Sequence, residues 1–258
     1  LSSIRKPWRK ALFLDLMLYE IHKTSFQRKK PNFSTLFLNS GAHIQHHFFF
    51  NSPFSKSKNL LNPRWYLDQK KDPVLDMLKT YDYAIKDLLK IKNTELIIAT
   101  GLSQKPFEKI KYYYRLKNHD KFLNLLDIRF RDVHTKMARD FLVTFDSVDD
   151  AVEAEKKLSQ LKSDEDIKLF DEIDNRGKDL YIVLTYPKEI DKNTKLKLQT
   201  KEIFIEDFVN FVAIKNGEHQ SKGFAYFSNG LKDISPDSNS HVSNIHNTVL
   251  EYFKIYDF

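Results

Sequence analysis

The chain has no cysteine among its 258 residues. Disulfides, zinc–thiolate centres and thiol nucleophiles are thereby excluded, and any metal would have to be held by His, Asp, Glu or Asn. Long apolar runs are missing too, since none approaches the roughly 20 residues that span a bilayer. The apolar stretch behind the basic start is broken by Asp15 and Glu20, which the core of a signal peptide would not contain. A soluble chain without a visible signal peptide is the expectation, and the compartment stays open. The first residue is Leu rather than Met, as in a fragment of a longer protein. No GxSxG, P-loop or GxGxxG string occurs, and there are no internal sequence repeats or low-complexity tracts.

What is present is an ordinary globular composition. Hydrophobic residues make up 41% and charged ones 30%, enough for one large domain or for a core with a smaller inserted unit. A net charge of +7 points to an anionic partner such as phosphate, sulfate, an acidic glycan or nucleic acid. Many of the lysines stand singly among acids, so a Lys-rich surface accounts for part of that charge.

The densest chemistry lies between Phe33 and His47. Phe33–Leu38 is apolar, with β-branched and aromatic residues, and reads as a strand entering the polar loop Asn39-Ser40-Gly41. His43, His46 and His47 follow at once, and neutral imidazole is the commonest metal ligand. A metal or anion site at the end of this strand is one reading, and a polar surface turn is the other.

Around this stretch the order of elements is that of an α/β protein. Residues 7–25 carry apolar positions at helical spacing behind Pro7. Residues 48–66 lack a period and read as a loop with buried rings. Asp72-Pro73 opens the clearest helix, whose apolar face runs from Val74 to Leu89, and Glu95–Thr100 reads as a buried strand of the parallel type. The pattern weakens over 105–139 apart from a helix at Asn118–Leu126. A compact run of strand 140–145, helix 147–161, strand 167–172, turn 175–177 and strand 180–186 follows. Strands are expected again at 201–205, 208–214 and 224–227, with a polar loop at 215–219 and a closing helix at 242–252.

Three segments stand in the order and spacing of the alkaline phosphatase superfamily, nearest its phosphodiesterase and nucleotide-pyrophosphatase branch. That family has a strand ending in Asp-x-x-x-His, both residues holding one of two zinc ions, and this chain has Asn39-Ser40-Gly41-Ala42-His43. The family's Tyr-Asp helix resembles Tyr81-Asp82, and its next strand ends in a Ser/Thr-Asp-His-Gly loop where this chain has Thr100-Gly101-Leu102-Ser103. Its late Gly-x-His-x-x-x-Gly and closing helix resemble Gly217-Glu218-His219 through Gly223 and Asn244–Leu250.

The resemblance implies an α/β fold with an alkaline-phosphatase-like core sheet flanked by helices. Residues 1–108 and 201–258 would form the core, and 109–200 a small inserted α+β subdomain. It also implies a divalent metal, zinc by the family's usage, at Asn39, His43 and His219, with His46, His47, Gln104 and Arg115 as candidates for substrate or anion contacts. Asn39 replaces a carboxylate with a neutral oxygen, which weakens that site. Gly101 and Leu102 stand where the second metal's ligands belong, and neither side chain can ligate. No segment before Phe33 supplies the family's nucleophile and its further Asp ligand.

The primary expectation is therefore a metal-dependent hydrolase or transferase of phosphate or sulfate esters. The alternative is an inactive relative that binds an anionic small molecule, sugar, glycan or nucleotide. RNA binding through the inserted unit, by Phe141 and Tyr181, is disfavoured by the acids at 146–155. Arg115, His119, Arg139 and Asp140 read as an anion clamp or, more simply, a structural salt bridge.

Overall fold

The computed structural model describes residues 6–55, 60–198 and 201–255, so part of the 48–66 segment lies outside the described residues. The protein is a mixed α/β chain that divides into two compact units. One comprises residues 1–108 and 216–258, the other Lys109–Lys215. The second unit thus runs on to Lys215, where the sequence reading places its end at 200. No helix among the described residues is long and apolar enough to cross a membrane.

In the first unit, α1 (Trp8–Lys29), α2 (Ser40–Phe48) and α3 (Pro73–Leu88) pack together. The core joins Trp8 and Leu12 of α1, Ile44 and Phe48 of α2, and Val74 and Met77 of α3 with Phe49 and Leu67. Aromatic geometry adds to area burial here: the Phe48 ring meets Trp8 edge-on at 5.9 Å and stacks on Tyr66 at 5.5 Å. The Asp72 side chain accepts the Leu75 amide at 3.1 Å and Pro73 occupies the first helical turn, so α3 starts where its sequence signals put it.

The stretch read as a strand and a loop differs from expectation. Phe33–Leu38 pairs with no strand among the described residues, and Phe33 and Phe37 are 57% and 79% exposed. The predicted polar loop is α2. Its cap residue Asn39 makes no side-chain capping bond. Instead Asp15, buried on α1, accepts the amides of Asn39 at 3.2 Å and Ser40 at 2.8 Å, and the Ser40 hydroxyl at 2.6 Å. Tyr81 of α3 donates its hydroxyl to the same carboxylate at 2.9 Å and accepts the Gly41 amide at 2.8 Å. The first amides of a helix lack intrahelical partners, and here two other helices supply them.

Two ribbons follow. β1 (Ile97–Thr100) pairs antiparallel with β11 (Phe224–Phe227), from Ile97 opposite Phe227 to Thr100 opposite Phe224. The expectation of a buried parallel strand is corrected, since β1 is half exposed and its one partner runs the other way. The long strands β2 (Ser103–Leu116) and β10 (Val209–Gln220) form the other ribbon. The polar loop expected at 215–219 lies inside β10, because Asn216 and Gly217 are buried by tertiary partners. Asn216 and Asn62 exchange amide hydrogen bonds at 2.8 and 2.9 Å, and the Asn216 oxygen also accepts the Phe50 amide at 2.9 Å. The closing helix α6 spans Asn244–Tyr252.

The second unit contains α4 (His119–Leu125), β3 (Asp132–Thr135), β4 (Asp140–Thr144), α5 (Val148–Ser159), β5 (Lys162–Ser163), β6 (Glu172–Asn175), β7 (Asp179–Val183), β8 (Lys195–Leu198) and β9 (Lys201–Phe204). Its main sheet has the order β3-β4-β7-β6, all antiparallel. A helix followed by a hairpin occurs twice, as α4-β3-β4 and α5-β6-β7, and the second strands of the two hairpins lie side by side. Phe141 opposite Ile182 and Val143 opposite Leu180 are fully buried. Ala151, Ala154 and Leu158 of α5 are buried at helical spacing, behind the Ser147 cap that accepts the Asp150 amide at 3.1 Å. The strand expected at 167–172 begins only at Glu172; Leu169 and Phe170 are buried and the Leu169 backbone bonds to Leu161 and Thr185 outside the main sheet. β5, β8 and β9 form a separate three-stranded sheet. Every register described in the chain is antiparallel, whereas the family resemblance implies helices flanking one core sheet.

Candidate functional site

The histidines of the first unit gather where the end of β10 meets α2. The Nδ1 of His46 lies 2.9 Å from the Gly217 carbonyl oxygen, and its Nε2 lies 2.9 Å from the Nε2 of His219. A carbonyl only accepts, so Nδ1 of His46 carries a proton. With His46 neutral, its Nε2 is the acceptor and His219 donates; with His46 protonated on both nitrogens, the direction reverses. The two Nε2 atoms are thus joined by a single proton. The imidazole edge lies at the solvent boundary, with His46 half-buried and His219 exposed.

Gly217 sets the approach. A Cβ at this position would stand 2.6 Å from the Gln104 amide oxygen and 2.8 Å from the Gln45 carbonyl, distances no side chain tolerates. Only a glycine lets the β10 backbone sit this close to the α2 backbone, and that closeness brings the two imidazoles together. Lys105 and Glu218 pair at 2.9 Å nearby.

The other expected residues fall differently. Asn39 is exposed at the start of α2, and its backbone, not its side chain, is engaged by Asp15. His43 lies one turn before His46, with its ring 4.7 Å from that of His47. His219 has its ring centroid 4.7 Å from that of His46. His47 is half-buried, 6.4 Å from the His46 ring. Gln104 donates its amide nitrogen to the Ala42 carbonyl at 3.1 Å, so that nitrogen is committed to the protein rather than to an anion. Its amide oxygen is buried without a donor among the described residues. Arg115 belongs to the second unit.

The metal expectation can be weighed against this donor set. Metal-ligating histidine usually donates its remaining N–H to a carbonyl or carboxylate, and His46 does so to Gly217. Catalytic zinc, however, takes three protein ligands. Among the described residues no group of three or more His, Asp or Glu side chains stands in a metal-ligating arrangement.

Of the residues named for RNA stacking, one is buried and the other half-buried. Phe141 is fully buried, packed edge-on against His119 at 4.7 Å and Phe170 at 6.0 Å. Tyr181 donates to Asp140 at 2.6 Å and carries the Arg176 guanidinium 5.3 Å from its ring centre.

Comparison with protein-family models, with curated proteins and with solved structures finds no match for this chain.

Proposed function

We propose that the first unit binds the phosphate or sulfate group of an anionic small molecule or glycan at the His46–His219 pair. The observation that carries this reading is the 2.9 Å approach of the two Nε2 atoms, held by the Gly217 carbonyl and the missing Gly217 side chain. An oxyanion brought to this edge favours the doubly protonated pair and takes hydrogen bonds of the strong, charge-assisted kind. The resemblance to the alkaline phosphatase superfamily supports the same ligand class, because two of the segments that carry it, 39–43 and 217–223, lie on or beside α2 and β10.

The test follows the imidazole nitrogens of 15N-histidine-labelled protein during titration with p-nitrophenyl phosphate and p-nitrophenyl sulfate. The His46 and His219 signals are expected to move together, and His46→Gln or His219→Gln to abolish the response. Unmoved imidazole signals overturn the reading. Release of nitrophenol in the same samples separates ester hydrolysis from binding alone.

A second reading has its own observation, the carbonyl-anchored Nδ1 of His46. In it the pair holds a divalent ion such as zinc, which would polarise a phosphoryl or sulfuryl oxygen. The chain's own part would be to orient His46 through Gly217 and to present both Nε2 atoms. Metal content by mass spectrometry, wild type beside His46→Gln and His219→Gln, decides it.

A further inference from the structure

The second unit holds a cluster of another kind. Tyr113 is half-buried on β2, and two cations approach its ring: the Arg139 guanidinium carbon at 4.0 Å and the Lys215 ammonium at 5.5 Å from the ring centre. They come from three places in the chain, β2, the residue before β4, and β10. A single cation on a tyrosine is a common and modestly favourable contact. A second one beside it adds repulsion, which proteins ordinarily offset with a carboxylate.

No such carboxylate stands beside them among the described residues. Among the described residues neither Arg139 nor Lys215 forms a salt bridge; the one bond Arg139 makes is from Nη1 to the Leu184 carbonyl at 3.2 Å, which orients the guanidinium without neutralising it. The nearest acid in sequence, Asp140, is taken by the Tyr181 hydroxyl. Lys215 is partly buried, and burial together with the Arg139 charge lowers its pKa. Along β2, Tyr113 shares its face with Lys111 and Arg115, two residues to either side, so the surroundings stay basic.

We infer that Tyr113, Arg139 and Lys215 form a binding site for a phosphate monoester dianion, separate from the histidine pair of the first unit. The charges balance: a phosphate monoester carries close to two negative charges at neutral pH, against one guanidinium and one ammonium. The chemistry is matched as well, since the planar guanidinium presents a fork of donors to two phosphate oxygens while the ammonium acts as a point charge. The Tyr113 ring and the Leu184 carbonyl hold the fork in place before any ligand arrives.

The experiment uses the full chain carrying His46→Gln and His219→Gln, so that the first unit's site cannot contribute. Phenyl phosphate is titrated into it calorimetrically, and then into the same protein with Lys215→Met or Arg139→Gln added. Binding is expected in the double variant, with affinity at least about tenfold lower once either cation is removed, as loss of a charged hydrogen bond requires. Phenyl sulfate, a monoanion, is expected to bind more weakly than phenyl phosphate. Lys215→Met also provides a folding control: the thermal midpoint without ligand should hold or rise, because a partly buried charge next to another cation has been removed. The inference is overturned if the double variant does not bind phenyl phosphate, if Lys215→Met and Arg139→Gln leave the affinity unchanged, or if phenyl sulfate binds equally well. Failure of the histidine reading leaves all three outcomes readable.

Discussion

The carboxylate of Asp15 sits over the first turn of α2, accepting the Ser40 amide at 2.8 Å and the Ser40 hydroxyl at 2.6 Å. Asp15 is only 5% exposed, so water cannot replace it as an acceptor. Replacing it by alanine leaves the buried Ser40 amide without its acceptor and removes the shared acceptor of the Asn39 amide and of the Ser40 and Tyr81 hydroxyls. Asp15→Ala is expected to cost about 3 kcal/mol, and Asp15→Asn less, because the amide oxygen keeps part of the acceptor set. Urea unfolding followed by the fluorescence of buried Trp8 measures both. A cost below about 0.5 kcal/mol for the alanine variant would show that α2 is capped by something else.

The Tyr81 hydroxyl completes the same cap, and burial is the main force pushing its pKa up to about 12. Removing it with Tyr81→Phe leaves the Gly41 amide without its acceptor at little change in volume. A loss of about 1–2 kcal/mol is expected, with amide hydrogen exchange speeding up at Gly41 before the rest of α2. Uniform acceleration along the helix would instead mean that the first turn opens only with the whole unit.

Much of the fold is legible in the sequence. α3 and α5 carry their caps within the sequence window, Asp72-Pro73 and Ser147, and their apolar faces repeat at helical spacing, so both were expected in place. α2 was not, because its cap comes from Asp15 on α1 and Tyr81 on α3, and a run of Asn-Ser-Gly signals a turn to any local reading. β10 was broken at 215–219 for a related reason, since burial of Asn216 and Gly217 is decided by Asn62, Phe50 and Gln45, far away in the chain. The candidate site was legible to within one helical turn. The sequence drew attention to His43, His46, His47 and His219, but motif spacing favoured His43, and only the approach of β10 to α2 singles out His46. Of the Tyr113–Arg139–Lys215 cluster the sequence reading names Arg139, grouped with Arg115, His119 and Asp140, because nothing local relates three residues from three separate segments.

Gly217 is expected to be irreplaceable for ligand binding. Gly217→Ala places a methyl group against the Gln45 carbonyl and the Gln104 amide, and the strand must move away from α2. Overpacking of this kind costs about 1–3 kcal/mol, and a shift of even 1 Å parts the imidazoles. In 15N-histidine spectra the variant should lose the hydrogen-bonded signature of the His46–His219 pair while remaining folded by circular dichroism. Retention of that signature would mean that the pair does not depend on the close backbone approach.

His119 ties the second unit's stability to acidity. Burial, with the Arg115 charge second, lowers its folded pKa below the ordinary 6.5. Between that depressed value and 6.5 the unfolded chain binds a proton that the folded chain refuses. The stabilisation from keeping this ring neutral is therefore full above pH 6.5, falls away as the pH drops through the interval, and changes no further below the folded value. His119→Phe fills the same space against Phe141 without a titrating group. Plotted against pH, the stability difference between wild type and His119→Phe should be flat above 6.5 and bend against the wild type below it, with all other carboxylates and histidines cancelling in the comparison. A difference that stays constant from pH 7.5 to 5 would place the His119 ring in contact with water, contrary to its buried position beside Phe141.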